Sequence, residues 1–306
     1  MDVGRFAPSS TGRAHPGTLL AALLCWLDIR SRGGRIRLRL EDLDPQRASA
    51  RHSRGLVDDF AWLGLDWDVV EFQSEAREAH AEALDRLEGS GRLYPCECSR
   101  SQIAADAARA PDGGFRYPGR CLGRALPAGG WRKSSESLRV RLDDSEVAVP
   151  SEDASVPPSN PRRDFGDPIV RRRDGVAAYH LASVVDDANG GVTRVVRGRD
   201  LALHTPTQVA LQRLLDLPTP AYRHHLLLLE RREGAKLAKF HGAVAADELR
   251  AVYSGPALCG LLAMAAGLLD APREITPTEL LTDFDWARVR SGDRELAFTG
   301  SGLQLA

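Results

Sequence analysis

The chain has no apolar run long enough to cross a bilayer. Its longest, AALLCWL and HHLLLLE, are core-sized, well short of the roughly 20 residues a spanning helix needs. Its first residues, MDVGRFAPSS, lack the basic, apolar and small-residue succession of a secretion signal. A cytoplasmic location with no membrane partner is therefore expected. No charge excess exists either. Lys and Arg number 41 against 42 Asp and Glu, a net charge of −1, which excludes a global basic field as the basis of nucleic-acid binding but leaves room for a local stripe. Candidate stripes are Arg35, Arg37 and Arg39, then Arg162–Arg163, then Arg171, Arg172 and Arg173. Each also reads as a solvated strand face. Cysteine is scarce as well. Of five, Cys96, Cys98 and Cys121 lie close together, which in a cytosolic chain points to a metal before a disulfide. Cys25 and Cys259 read as buried hydrophobes.

What is present suits an α/β protein. With 306 residues, 43% of them hydrophobic, the chain can form two domains or one large domain with an insertion. A short apolar start at 3–7 runs into PSSTGRAHPG. A helix follows, with Leu20, Leu23, Leu24 and Leu27 spaced for one buried face and Gly33–Gly34 to stop it. RIRLRL then alternates Ile36, Leu38 and Leu40 with arginine, a strand period. Strand, glycine-containing loop, helix and strand make a βαβ unit, whose ligands gather at the carboxyl ends of its strands. The loop after Ala7 and the pair Glu41–Asp42 both fall at such ends.

Further along, residues 53–91 predict two helices joined by WLGLDWD, and the stretch from Tyr94 to about 130 predicts irregular structure. Strands are predicted at 138–142, at 169–172 before an Asp174–Gly175 hairpin turn, and over VTRVVRG. Residues 206–215 predict a helix capped by Thr205. YRHHLLLLE reads as one buried strand leading into EGAKLAKFHGA, and the tail as two or three short helices. No internal repeat is visible. The expected organisation is a Rossmann-like nucleotide-binding fold in two halves, 1–92 and 161–242. A subdomain at 93–160 interrupts it, and a short helical region at 243–306 follows.

Three groups of residues carry chemistry. In PSSTGRAHPGT, a loop feeding a helix offers backbone N–H groups and a positive dipole end to a phosphate, with His15 and Thr18 as added donors. Alone, such a loop also reads as a simple helix cap. Lys236 and Lys239 share a Gly-flanked loop from which both reach polyphosphate and offset charge on leaving pyrophosphate; alone, this reads as a solvated basic loop. The three clustered cysteines suit tetrahedral Zn²⁺. On residue chemistry alone the fourth ligand is open, Glu97 and a water being candidates.

Together the first two groups resemble the HIGH and KMSKS signatures of class I aminoacyl-tRNA synthetases, in the order those enzymes have. The segments RFAPSSTG at 5–12, LRLEDLDPQR at 38–47 and YHLASVVDDANGGVTRVVRGRDL at 179–201 resemble the glutamyl branch, and the similarity covers roughly 3–242. This implies a class I synthetase fold acting on L-glutamate and ATP with Mg²⁺. Two carboxylates call for two guanidinium partners and an ammonium for an anion. The resemblance supplies Arg5, Arg197 and Glu41, with hydroxyls from Ser9 and Tyr179. It puts His15, Gly17, Thr18 and Lys239 on ATP, with Lys236 secondary. The substrate carboxylate is itself the nucleophile, so catalysis is positioning and charge stabilisation. The branch's C-x-C…Y-x₃-C pattern makes Tyr117 the fourth ligand of one structural zinc, beside Cys96, Cys98 and Cys121. Two departures stand out: Ala238 replaces the usual Ser of KLSK, and Phe240 follows where a polar residue is commoner.

Only 66 residues follow Phe240, whereas a separate anticodon-binding domain takes about 100 or more. A truncated architecture of this kind, with RHHL at 223–226 and LHTP at 203–206, resembles the glutamyl-Q tRNA(Asp) synthetase family. That family activates glutamate without tRNA and transfers it to queuosine in the anticodon of tRNA(Asp). The expected partner is thus tRNA(Asp) carrying queuosine, and the expected state a monomer. Rival readings are a glutamyl-tRNA synthetase core charging a tRNA 3′ end, a non-catalytic RNA-binding module, and another nucleotidyltransferase with the HIGH signature.

Overall fold

The structure, a computed structural model, describes residues 1–153, 156–230, 238–239 and 244–305, with positions 230, 238 and 239 described by backbone. The chain opens with β1 (Val3–Phe6), α1 (Pro16–Ser31), β2 (Arg35–Leu40), α2 (Ala50–Leu63) and β3 (Val69–Phe72). Then come α3 (Arg77–Gly89), β4 (Leu93–Cys96), α4 (Arg100–Asp106), β5 (Ser137–Val140), α5 (Pro161–Asp164) and β6 (Ile169–Arg171). α6 (Tyr179–Asn189), β7 (Arg194–Gly198), α7 (Thr205–Leu214), β8 (Ala221–His225), β9 (Leu228–Glu230) and β10 (Ala238–Lys239) follow. The last elements are α8 (Ala246–Arg250), α9 (Gly255–Ala266), α10 (Pro277–Leu281), β11 (Arg294–Thr299) and β12 (Gly302–Leu305). No described helix is long and apolar enough to cross a membrane.

Two compact units result, one of Met1–Phe72, Thr193–Asp200 and Arg223–Ala306, the other of Gln73–Val192 and Leu201–Tyr222. The first contains the βαβ unit expected from the sequence. Its sheet has the order β3-β2-β1-β7-β8, with β2 and β7 both parallel to β1. The order reverses at β1 and β7, the switch point where open α/β sheets bind ligands. α1 begins with Pro16 at its first turn, where a missing N–H costs nothing. The expected single buried face is too narrow a description. From Leu19 to Ile29 nearly every side chain is buried, because the helix packs on β1, β2 and β7 as well as on α9 and α10. A helix covered all round needs no polar face.

Several elements differ from expectation for identifiable reasons. WLGLDWD leads into a strand, β3, whose four residues are half-exposed at the sheet edge. Its Glu71 takes ion pairs from Arg37 and Arg39 of β2, so these arginines form no solvated stripe; Arg39 is 1% exposed. YRHHLLLLE is two strands. β8 joins the parallel sheet, while β9 enters a second sheet of order β10-β9-β11-β12, with β9 parallel to β11. The break falls at Leu227, whose N–H donates to Asp293 Oδ1 at 2.7 Å. The tail therefore adds the β11–β12 hairpin to three helices, and α9 lies within the main apolar core.

In the second unit β4, β5 and β6 form an antiparallel sheet. The stretch predicted to be irregular contains α4, opened by a capping box in which Ser99 and Gln102 satisfy each other's backbone N–H groups. α7 starts at Thr205 itself. Its hydroxyl donates back to Leu201 O at 3.2 Å instead of capping. The Asp174–Gly175 turn closes as expected, with Arg172 N–H donating to Val176 O at 2.8 Å.

Candidate functional site

The carboxyl edge of the parallel sheet in the first unit collects Arg5, Ser9, Glu41 and Arg197 of the residues the sequence singles out. β1 ends at Phe6 and β2 at Leu40, and their continuations stay paired. Glu41 N–H donates to Pro8 O, and Ser10 N–H donates to Glu41 O, both at 2.9 Å. Ser9 and Glu41 face each other in a parallel bridge. Arg5 is the penultimate residue of β1 and Arg197 of β7. These strands are neighbours and run the same way, so both guanidinium-bearing positions stand at one edge with Glu41. Both arginines are buried, at 4% and 6% exposure. A buried guanidinium keeps its charge and demands anionic or carbonyl partners. Arg197 Nε donates to His224 Nε2 at 3.4 Å. This buried histidine on β8, not assigned a role from sequence, holds the guanidinium through that contact. Cys25 Sγ donates to Arg5 O at 3.2 Å, and its burial pushes the thiol up to about 12, as suits an inert core cysteine.

His15 is the N-cap of α1. Its Nδ1 accepts from Thr18 N–H at 3.4 Å, which places the proton of the neutral ring on Nε2, a donor. A Cβ at Gly17 would stand 3.1 Å from His15 Cε1, so glycine leaves the imidazole its place over the first turn. No acidic residue occupies that turn, and the dipole end stays positive. Lys239 lies in β10, where its backbone pairs with Leu229. Lys236 lies outside the described residues. Tyr179 opens α6 in the second unit and is 38% exposed.

The cysteine cluster in the second unit is fully assembled. Cys96 ends β4, and the sulfurs of Cys96, Cys98 and Cys121 lie within 4.8 Å of one another, Cys98 and Cys121 at 3.6 Å. Tetrahedral zinc with bonds of ~2.3 Å sets sulfurs about 3.8 Å apart, so the donor set fits such an ion. Tyr117 is in place as well. Its hydroxyl accepts Cys121 N–H at 2.9 Å and lies 3.6 Å from Cys96 Sγ. Among the described residues this is the group of His, Cys, Asp and Glu side chains close enough to hold a metal ion. The thiols are not equivalent. Burial pushes Cys98 up to about 11. For Cys121 burial acts upward too, but hydrogen bonds from the Glu97 backbone, Tyr117, Cys98 and Arg124 bring it down to about 7.

One residue of this cluster carries no signal in the sequence. Arg139 on β5 is 6% exposed; its Nε donates to Cys96 Sγ at 3.2 Å and its guanidinium lies 3.5 Å from the Tyr117 ring centroid. Its Nη1 donates to Asp167 O, which holds the guanidinium against the sulfur and the ring. The other arginine runs of this unit are tied locally: Arg163 to Asp144 at 2.7 Å, and Arg171 to the carbonyls of Ser134 and Glu136.

Comparison with known proteins identifies the family. Residues 3–254 match the family of class I tRNA synthetases (E and Q), catalytic domain. The chain is 44% identical to the glutamyl-Q tRNA(Asp) synthetase of Symbiobacterium thermophilum, over 94% of its own length and 93% of that protein. It is 42% identical to that of Nocardia farcinica, over 94% and 90%, and 40% identical to one from Neisseria meningitidis serogroup C, over 94% of each. Among solved structures, a glutamate tRNA ligase from Elizabethkingia meningosepticum in complex with its amino acid superposes with a TM-score of 0.77 at 22% identity. The match covers 95% of this chain and 66% of that one, so the chain spans about two thirds of that ligase. The glutamate-tRNA synthetase of Elizabethkingia anophelis gives the same TM-score at 21% identity, over 97% and 68%. At such identities the likeness concerns the fold. Sequence and fold together make this chain a member of the class I tRNA synthetases, a ligase of the glutamyl-Q tRNA(Asp) synthetase family.

Proposed function

We propose that the chain adenylates L-glutamate with ATP and Mg²⁺ in the absence of tRNA, then transfers the glutamyl group to queuosine in the anticodon of tRNA(Asp). One observation carries the activation half. Two buried guanidinium-bearing positions and one carboxylate share a sheet edge with a histidine-capped helix N-terminus. Arg5 and Arg197 take the two substrate carboxylates, Glu41 the ammonium, and Ser9 and Tyr179 add hydroxyl contacts. A carboxylate oxygen of glutamate attacks the α-phosphorus, the bond to the bridging oxygen breaks, and pyrophosphate leaves with that electron pair. His15, Gly17 and Thr18 hold phosphate oxygens at the helix end, and Lys239, with Lys236 secondary, offsets charge on the leaving group. No enzymatic base is required. A nucleophile on the tRNA base then displaces AMP from the acyl carbon.

The remaining assignments follow the same reading. Cys96, Cys98, Tyr117 and Cys121 hold one structural zinc, which fixes the fold of its subdomain. The functional division is 1–92 and 161–242 as catalytic halves, 93–160 as the zinc subdomain and 243–306 as the closing region. The enzyme works as a cytoplasmic monomer. The names of its relatives support the acceptor.

Exchange of labelled pyrophosphate into ATP, with glutamate, aspartate and glutamine compared and no tRNA added, tests the activation step. Exchange with glutamate alone is expected, and a flat trace overturns the reading. Acylation of tRNA(Asp) with and without queuosine tests the second. Product that needs queuosine and stays with the anticodon fragment after nuclease cleavage is expected. Label on the 3′-terminal adenosine instead would make the chain a conventional glutamyl-tRNA synthetase core.

A further inference from the structure

The loop that carries His15 is held by an ion-pair clamp that the reaction above leaves unused. Arg13, two residues before His15, forks onto Asp59 of α2, with Nε on Oδ2 at 2.9 Å and Nη2 on Oδ1. Asp59 is fully buried, at 0% exposure. Its Oδ2 also accepts Ala14 N–H at 3.1 Å, and its Oδ1 accepts Arg250 Nη2 at 3.2 Å. The remaining nitrogen of Arg13, Nη1, reaches Asp247 Oδ1 on α8. Beside it Ala246 N–H donates to Ala14 O at 2.8 Å. Opposite Arg13, α2 carries Gly55, where a Cβ would come within 2.7 Å of Arg13 Cδ. The stem of Arg13 thus lies where α2 has no side chain.

The position of α8 gives this clamp its meaning. Its first residue, Ala246, comes seven residues after Lys239. Lys239 itself is held by pairing of β10 with β9. The His15 loop and the start of α8 are thus referred to one buried carboxylate, the loop through Ala14 N–H on Asp59 and α8 through the Arg13 fork between Asp59 and Asp247. A fork onto a fully buried carboxylate is rigid and costly to break, whereas a lysine would keep the charge and lose the fork.

We infer that Arg13 is a positioning residue for ATP, holding the His15 loop against α2 and α8 so that the histidine meets the triphosphate in a fixed place. This rests on the reading of His15 as a phosphate contact. It adds a residue that touches neither substrate.

The test compares wild type, Asp247→Asn and Arg13→Lys in glutamate-dependent pyrophosphate exchange, with KM for each substrate and thermal midpoints. Equilibrium ATP binding to the same three proteins accompanies it. Asp247 is 66% exposed on its side chain, so its replacement leaves the core intact and carries the test should Arg13→Lys fail to fold. Asp247→Asn is expected to raise KM for ATP about 3–10-fold, and Arg13→Lys to lower kcat/KM for ATP about 30–100-fold, the scale of a small misplacement of reacting groups. In both, KM for glutamate stays within about twofold and Asp247→Asn melts like wild type. ATP binding weakens in the same order. Wild-type KM and kcat for ATP in both folded variants would overturn the inference, as would parallel loss for both substrates with a lowered midpoint. A wild type that binds ATP but shows no glutamate-dependent exchange would instead sink the proposed function, and the ATP-binding series would still decide on Arg13.

Discussion

The core of the first unit and the surroundings of the cysteines in the second are stabilised by different means. The first is built round a continuous apolar cluster that runs from Phe6 through α1 and α9 to Leu303, and its functional positions are presented on a parallel sheet. Around the cysteines of the second unit the local apolar cluster consists of Tyr94, Cys96, Tyr117 and Cys121, with Cys98 and Ile103 against it. So small a core contributes little on its own, and a bound metal adds folding energy outright. Charge is handled differently too. In the first unit Arg194 forks onto Asp28 at 2.9 and 3.0 Å while Trp286 Nε1 donates to the same carboxylate at 2.7 Å. In the cluster, Arg139 faces a sulfur, a phenol ring and the Asp167 backbone carbonyl instead of a carboxylate.

The largest effect should come from the sheet edge. Arg197→Ala removes a buried guanidinium from the proposed glutamate contacts, and kcat/KM for glutamate in pyrophosphate exchange should fall by a factor of about 10³, the cost of leaving a buried charge unpartnered. The circular-dichroism spectrum should stay as in the wild type. An unchanged KM for glutamate would remove Arg197 from the pocket. Next comes Cys98→Ser. Bound zinc, counted by elemental analysis, should fall well below one per chain. Hydrogen exchange should then speed up at 93–124 while α1 and α9 keep their protection. Equal loosening of both units would erase the contrast drawn here, and zinc-free wild type would remove the metal.

Arg139→Met keeps every proposed ligand and deletes the contact to Cys96. Metal affinity, measured by competition with a chelating dye, should drop about 10–100-fold, as for other outer partners of ligands; retained affinity would reduce Arg139 to a packing residue. The effect furthest from the site concerns pH. His225 ends β8 with its Nδ1 on Leu226 O at 2.7 Å, and burial holds its pKa down to about 4. A base depressed on folding binds its proton more readily in the unfolded chain, so stability is constant above about pH 6.5 and declines as pH falls towards 4, by on the order of 3 kcal/mol. Urea midpoints of the first unit should follow that decline, and His225→Gln should flatten it. A variant that keeps the full pH dependence would assign it to other groups.

Much of the site could be read in the chain because local rules governed it. The period of RIRLRL, the Pro and Gly around His15 and the spacing of Cys96, Cys98 and Cys121 each express a short-range requirement of strand, cap or metal. The split of YRHHLLLLE could not be read, since a uniform apolar run says nothing about which of two sheets will take each half. β3 was hidden for the opposite reason. Four half-exposed residues give too short an alternation, and only the neighbouring β2 makes them a strand.

By itself, then, the order of residues determined the βαβ start, the histidine-capped helix and the spacing of the three thiols, because each depends on neighbours within a few positions. Tertiary structure alone decided that Arg13 meets Asp59 and Asp247, that His224 backs Arg197, and that Arg139 lies over Tyr117. Those contacts join strands and helices distant along the chain. A guanidinium finds its carboxylate, imidazole or ring only after burial has removed water as the competing partner.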